Sequence, residues 1–188
     1  MQLVRIFDDI DAAPPEFPKI NDIERLKIYS ILLKKFKSIF PLEITSLLCD
    51  YAWIYPSDSI RCNDTVSVMK SEKVVVELTL SRKVKGIRVQ VCSHDQGWSI
   101  YPQNTNTFDN SWTYGLLRCS NEDLGDVRVY TNLHAVGDWH QYDHYLSLKD
   151  KWVSQLKVGD VVQFVARADF DGWQNFVKNA QLCLYYDI

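Results

Sequence analysis

The 188-residue sequence predicts a mainly β protein, an antiparallel, jelly-roll-like β-sandwich with an N-terminal helical hairpin. Side chains alternate near the C-terminus: Val162, Phe164 and Ala166 share one face of a strand, and Leu182 and Leu184 share one face of the next. Such alternation indicates half-buried strands, because successive side chains of a strand point to opposite faces. Polar or glycine-bearing turns separate several short runs of this kind after residue 60, as in sandwiches.

The predicted strands all lie in the second part of the chain, and the final strand is expected inside a sheet. They are Ile60–Met69, Lys73–Leu80, Val84–Cys92, Trp112–Cys119, Asp126–Asn132, Trp139–Leu148, Asp160–Asp169 and Val177–Asp187. Gly159 sets a turn before one strand, and Gly172 stands in the connection between the last two strands, where a positive φ is expected. The connection 93–111 is long and polar, and its Trp98, Tyr101 and Phe108 favour an ordered, functional loop.

Residues 1–56 are predicted to form a lead-in and the helical hairpin, and residues 57–188 the β-sandwich domain. Asn21 and Glu24 resemble a capping box at the start of the first helix. The second helix is predicted from Pro41 to about Trp53, with Ile44, Leu47 and Leu48 on its apolar face. This hairpin either packs on the sandwich or offers its apolar face to a partner.

Composition restricts the classes of function. The net charge of −3 and a pI near 5.8 argue against nucleic-acid binding. The five cysteines are scattered and odd in number, which favours reduced thiols and a cytoplasmic or nuclear location. No apolar run is long enough to span a membrane, so no membrane association is expected.

Three histidines, His134, His140 and His144, fall close together and are weak candidates for metal ligands. On a strand His140 and His144 share a face, but no partner ligand stands at a diagnostic spacing elsewhere. Nucleophile-elbow and phosphate-binding motifs are absent from the sequence. We therefore expect no metal, no cofactor and no enzymatic activity. A metal-dependent β-barrel enzyme built on the histidines is the alternative from the enzyme class.

Five aromatic side chains, namely Trp98, Tyr101, Trp112, Trp139 and Trp173, support two interpretations. Flat rings flanked by Asn and Asp can stack on sugars, whereas buried rings stabilise a sandwich core. We expect Trp112 and Trp173 to be largely buried. Trp98, Tyr101 and Trp139 are the candidates for contact with a ligand or partner.

Several blocks of the sequence occur in an order that resembles a family of poorly characterised fungal proteins. The blocks are Asp95-Gln-Gly-Trp-Ser-Ile-Tyr-Pro102, Ser111-Trp112, Asn132-Leu-His-Ala135, and Ala166-Arg-Ala-Asp-Phe-Asp-Gly-Trp173. The resemblance covers roughly residues 72–187. It implies a C-terminal β-domain that is sometimes attached to interaction modules, and no established activity.

The segment Phe40–Tyr51 resembles the start of an F-box, in which apolar positions face Skp1. Pro41, Glu43, Ile44, Leu47 and Leu48 match that start by position. Phe40 replaces the usual Leu, and β-sequence begins where the second half of an F-box would stand. These departures favour a helix that caps the sandwich over one that binds Skp1.

The sequence therefore predicts an intracellular, non-enzymatic protein-interaction or substrate-recognition module, with an adaptor-like role as one form of it. A carbohydrate- or small-ligand-binding β-sandwich is the alternative from the binding class. A protein partner is expected, with Skp1 as the named possibility.

A single substitution, Leu47→Asp, separates capping from partner binding. Under capping, the buried unpaired carboxylate should lower stability by about 2–4 kcal/mol in thermal or urea melts. Under Skp1 binding, the melting curve should stay nearly unchanged while co-purification of Skp1 is lost. An unchanged melt would therefore contradict the capping interpretation.

Overall fold

A computed structural model describes the backbone of Leu3–Arg5, the residue Ile31 and residues 57–186. The predicted helical hairpin, with Ile44, Leu47 and Leu48, lies outside the described residues. Within the described residues, no helix is long and apolar enough to cross a membrane.

The regular secondary structure of residues 57–186 is mainly β, with one short α-helix. In chain order the elements are β1 Leu3–Arg5, β2 Ser57–Cys62, β3 Val66–Met69, β4 Ser71–Thr79, β5 Val84–His94, β6 Thr113–Cys119, β7 Val127–Thr131, β8 His140–Ser147, α1 Lys151–Gln155, β9 Val161–Ala168 and β10 Gln174–Tyr186. Two short 3₁₀ turns, Pro102–Asn104 and Glu122–Leu124, lie in the connections.

The strands form two antiparallel sheets. The six-stranded sheet has the order β1-β8-β5-β10-β2, with β3 also paired to β10, and the four-stranded sheet has the order β4-β9-β6-β7. If β2 and β3 count as one interrupted strand, this order is that of a jelly roll, with β1 added at one edge. The predicted mainly β, antiparallel sandwich is thus confirmed, and the final strand lies inside a sheet as expected.

The predicted strand Ile60–Met69 is the main difference from the sequence-based expectation. The structure divides it into β2 and β3, which pair in succession with the C-terminal and N-terminal parts of β10. Asn63, Asp64 and Thr65 interrupt the run, because three polar residues in a row break the period-2 pattern. β10 is long enough to hold both pieces.

The core lies between the two sheets and comes from the alternating faces that the sequence predicts. Phe164 of β9 and Leu182 and Leu184 of β10 are completely buried. Ile87 of β5 is buried with them, and all belong to one apolar cluster. Burying such side chains contributes about 1.5–3 kcal/mol each, which makes this cluster the main source of stability.

The outer face of the four-stranded sheet carries a second, smaller apolar cluster of Tyr114, Leu116 and Val165. The Arg128 guanidinium carbon lies 3.8 Å from the centroid of the Tyr114 ring. Arg118 donates hydrogen bonds to Glu72 and Asp126 on the same sheet. Charged side chains therefore occupy this face and pair with one another.

Four connections cross between the sheets at one end of the sandwich, which we call the loop end. They are residue 70, residues 95–112, residues 132–139 and residues 169–173. Gly172 has a φ of +82°, which confirms the positive φ expected at this turn. Jelly-roll topology thus gathers segments that are far apart in sequence.

Gly115 of β6 stands against two aromatic rings of the core, and we use it to test the packing. A Cβ atom there would lie 2.1 Å from Tyr130 and 2.7 Å from Phe164. Because neither ring has space to retreat, Gly115→Ala should destabilise the protein by about 1–3 kcal/mol or more. Urea unfolding measures the change.

Gly137→Ala is the matched control, since its Cβ would meet only an ordinary contact at 3.5 Å from Gly97. Equal destabilisation by the two substitutions would contradict the packing described for Gly115.

Candidate functional site

Buried polar side chains concentrate at the loop end. Ser57 is the only buried polar residue of the described part that lies elsewhere. The members at the loop end are Ser93, Asp95, Ser111, Thr113, Asn132, His134, His140 and Asn175. All of them except Ser111 and His140 make side-chain hydrogen bonds within the described residues, so this end is held by directional bonds as well as by apolar contact.

Asn175 is the centre of the hydrogen-bond network. Its Oδ1 accepts bonds from the hydroxyl of Ser93 at 2.9 Å and from Nδ2 of Asn132 at 3.0 Å. Its own Nδ2 donates to the carbonyl oxygens of Tyr114 at 2.9 Å and Arg167 at 3.1 Å. One amide thus joins β10 and β5 of one sheet to β6 and β9 of the other.

Asp95 links the long connection 95–112 to the connection 132–139. Its carboxylate accepts backbone N–H bonds from Gly97 at 2.8 Å and from Ala135 at 2.6 Å. Burial raises the pKa of Asp95, and the backbone donors act in the opposite direction. The carboxylate holds two loops together and has no exposed surface to offer a ligand.

Further backbone bonds fix the long connection along its length. His134 donates its N–H to the carbonyl of Thr107 at 2.7 Å, and Asn106 donates to the carbonyl of His134 at 2.9 Å. Nearer β6, Asp169 donates to the carbonyl of Trp112 at 3.1 Å. The connection is therefore ordered, as its aromatic content predicts.

Exposed aromatic side chains also concentrate at the loop end. Among the described residues, Tyr145 is the only exposed aromatic residue that lies elsewhere. The exposed aromatic and other large apolar residues here are Met69, Trp98, Ile100, Tyr101, Phe108, Trp112 and Phe170. Soluble proteins seldom expose a large contiguous apolar patch that has no binding role.

Trp98 is the most exposed aromatic ring among the described residues, and its backbone is fixed by Gln96. The Gln96 side chain donates to the carbonyl of Trp98 at 2.8 Å and accepts the N–H of Gln174 at 3.1 Å. The indole lies beside Gly172, with 3.9 Å between its Cη2 atom and the position of a Cβ on that glycine. Trp98 is 59% exposed, so the ring is available while its backbone is held.

The remaining aromatic candidates have different environments. Tyr101 is exposed, as a binding residue would be. Trp139 is half-buried and contacts His94 edge-on, with 4.3 Å between the ring centroids. Trp173 is half-buried and lies 5.0 Å from the His134 ring.

The expectation that Trp112 is largely buried is wrong. Trp112 is 37% exposed and contacts Phe170 edge-on, with 4.8 Å between ring centroids. It precedes β6 and so lies in the connection, where the two rings cover each other on the surface. Trp173, only half-buried, also departs from that expectation.

The three histidine candidates do not form a metal centre within the described part of the chain. No group of three metal-ligating side chains comes together there. His134 is buried in the connection, whereas His140 and His144 belong to β8 opposite Ser93 and Val89. Burial lowers the pKa of both His140 and His144, so both are neutral at pH 7.

Sequence reasoning missed the residues that build the site, namely Asp95, Gln96, Asn132 and Asn175. Three of these stand within the sequence blocks quoted above, but polar residues in a connection are indistinguishable from surface residues in sequence alone. Asn175 had one usable signal, since it is a polar residue on the inward face of a strand. Its neighbour Val177, two positions on, is fully buried.

Comparison with known proteins adds little. No protein-family model and no curated protein matches the chain. Among solved structures, the chain is similar to TmCBM61 in complex with beta-1,4-galactotriose, with 13% identity over 67% of this chain and 68% of that chain. The TM-score is 0.32, which is too low to transfer a fold or a function.

His140 provides a test of how the stability of the protein depends on pH through a histidine buried at the loop end. Neither ring nitrogen has a hydrogen-bond partner among the described residues, and burial lowers the pKa from its ordinary value of 6.5. The unfolded chain therefore binds a proton more readily, and stability should fall as the pH falls below about 6.5. Carboxylates, with pKa values near 4, stay ionised over most of this range.

Urea unfolding at pH 7.5 and at about pH 5.5 measures the loss. His140→Phe should show a smaller loss than the wild type, because one titrating group is removed, while His94 and His144 retain lowered pKa values. An identical loss in both proteins would contradict this role of His140.

Proposed function

We propose that this chain is a carbohydrate-binding β-sandwich module that holds a sugar at its loop end. The observation that carries the proposal is the exposed indole of Trp98 on a backbone fixed by Gln96. The proposal concerns binding and assigns no catalytic step.

The chemistry of a sugar matches this surface. One face of a pyranose ring presents aliphatic C–H groups, which stack on a flat aromatic ring, while its hydroxyl groups need polar partners at the edge. Trp98, Tyr101 and Phe108 supply exposed rings. The same connection supplies amide side chains, among them Gln103, which is exposed, and Asn104, which is half-buried.

Rigidity of the connection strengthens the case for a small ligand. Asp95 and His134 hold the connection 95–112 against the connection 132–139. A ligand that meets a pre-ordered surface does not have to offset the entropy of ordering it. Weak individual contacts, such as stacking and hydroxyl bonds, can then give useful affinity.

Protein recognition was the primary sequence-based expectation, and it depends on different residues. The helix predicted to carry Ile44, Leu47 and Leu48 lies outside the described residues. The described part of the chain therefore favours the ligand-binding alternative, because the exposed aromatic surface belongs to the β-domain itself.

The proposal predicts glycan binding that depends on Trp98. The full chain should bind at least one neutral or acidic oligosaccharide class on a glycan array, with the affinity then measured by calorimetry. Trp98→Ala should weaken that binding about tenfold or more, equivalent to about 1.4 kcal/mol. Its melting temperature should change little, because the side chain is mostly exposed.

Val158→Ala is the matched control, because Val158 is an exposed apolar residue at the opposite end of the sandwich. It should bind as the wild type does. Failure of the wild type to bind any arrayed glycan, or equal binding by Trp98→Ala, would overturn the proposal.

A further inference from the structure

We infer that Lys178 and Arg61 form a subsite for the carboxylate of an acidic sugar, on the outer face of the six-stranded sheet beside Trp139. This inference rests on the proposed function, since it assigns the charge of the ligand. It concerns residues that the loop-end site does not use.

The strand register places the two cations on the same face. Lys178 of β10 pairs with Cys92 of β5, and Arg61 of β2 pairs with Gln181 of β10. Val177 and Leu182 are fully buried in the core, and the register shift between Lys178 and Gln181 places both of these neighbouring residues on the outward side. Lys178, Gln181 and Arg61 thus lie on the outer face.

Both positive charges act on the Cys92 thiol of β5. Burial raises the pKa of the Cys92 thiol, and the positive charges of Lys178 and Arg61 both act to lower it. Cys92 is half-buried on β5 and is the direct neighbour of Lys178 in the strand register, whereas Arg61 lies on β2 at the other side of β10.

Neither cation is neutralised by a carboxylate within the described part of the chain. There, Lys70, Arg88, Arg118 and Arg167 each form an ion pair, whereas Lys178 and Arg61 form none. Asp143 on the same face is occupied by Arg88 and accepts a further bond from Gln90. An incoming anion would therefore meet positive charge at this position.

Aromatic rings next to the cations fix Lys178 and connect the subsite to the loop end. The Lys178 ammonium lies 4.2 Å from the centroid of the Trp139 ring, and this cation–π contact holds it in place. Trp139 contacts His94, which stacks on Phe176 at 4.7 Å. His94 ends β5 where the connection 95–112 begins, so the subsite borders the loop end directly.

The donor set favours a carboxylate. A guanidinium binds a planar carboxylate through two parallel hydrogen bonds, and an ammonium adds charge without a demand on geometry. The nearby amide of Gln181 can donate as well. Burial lowers the pKa of His94, and the charged and titratable groups that act on His94 are Lys178, Asp138 and His140.

The test compares each acidic oligosaccharide with its own methyl ester, so that only the charge differs. The probes are tetramers of galacturonate, glucuronate and mannuronate, titrated into the full chain by calorimetry at low salt. At least one acid should bind about tenfold more tightly than its ester, and added salt should reduce the difference. Lys178→Met and Arg61→Gln should each reduce the preference to about threefold or less.

Lys83→Gln is the matched control, since it removes the same charge from an exposed position at the opposite end of the sandwich. It should keep the preference. Equal affinity for acid and ester in all three pairs would overturn the inference, as would tighter binding of a sulfated tetramer than of the uronates. If acid and ester bind the wild type equally, and Trp98→Ala loses the binding of the ester, the proposed function stands without the inference. If no glycan binds, both fail.

Discussion

The side-chain amide of Asn175 is the interaction on which the arrangement of the loop end depends. It accepts bonds from Ser93 and Asn132 and donates to two main-chain carbonyls of the opposite sheet. Removing it would break four buried hydrogen bonds, each worth about 0.5–1.5 kcal/mol, while Ser93 and Asn132 would keep their bonds to the Phe176 carbonyl and the Thr113 hydroxyl. The same amide therefore fixes the relative position of the sheets and of the loops that emerge from them.

The two outer faces of the sandwich differ in how their charges are used. On the four-stranded sheet, Arg118 bridges Glu72 and Asp126 above a small apolar cluster, and Glu72 has a lowered pKa chiefly through its hydrogen bond with Arg118. Exposed ion pairs of this kind contribute little stability individually. On this face Arg118 and Arg167 are paired with carboxylates, whereas Lys178 and Arg61 on the other face form no ion pair within the described residues.

Much of the fold follows from the sequence because the strands are amphipathic and the turns contain glycine. Val162, Phe164 and Ala166 alternate with more polar neighbours, and all three are fully buried. Pairing order could not be read in the same way, since alternation says which face a side chain takes but not which strand lies beside it. The division at Asn63 shows that even strand continuity depends on the partner, here the long strand β10.

The candidate site was only partly predictable, and the tryptophans show why. Trp98 and Tyr101 were expected as binding candidates and are exposed, whereas Trp112 was expected in the core and lies on the surface. An indole has a large apolar area and one polar N–H, so sequence alone does not distinguish a core ring from a binding ring. Whether a tryptophan lies in the core or on the surface depends on whether its backbone belongs to a strand or to a connection.

The concentration of buried polar groups at the loop end also bears on the role of this end in binding. An apolar core of similar volume would stabilise a sandwich at least as well, because satisfied polar networks gain little over apolar packing. Directional bonds instead determine one arrangement of the loops, as the contacts of Asp95 with Gly97 and Ala135 do. Fixed loops with exposed rings are what a binding surface requires.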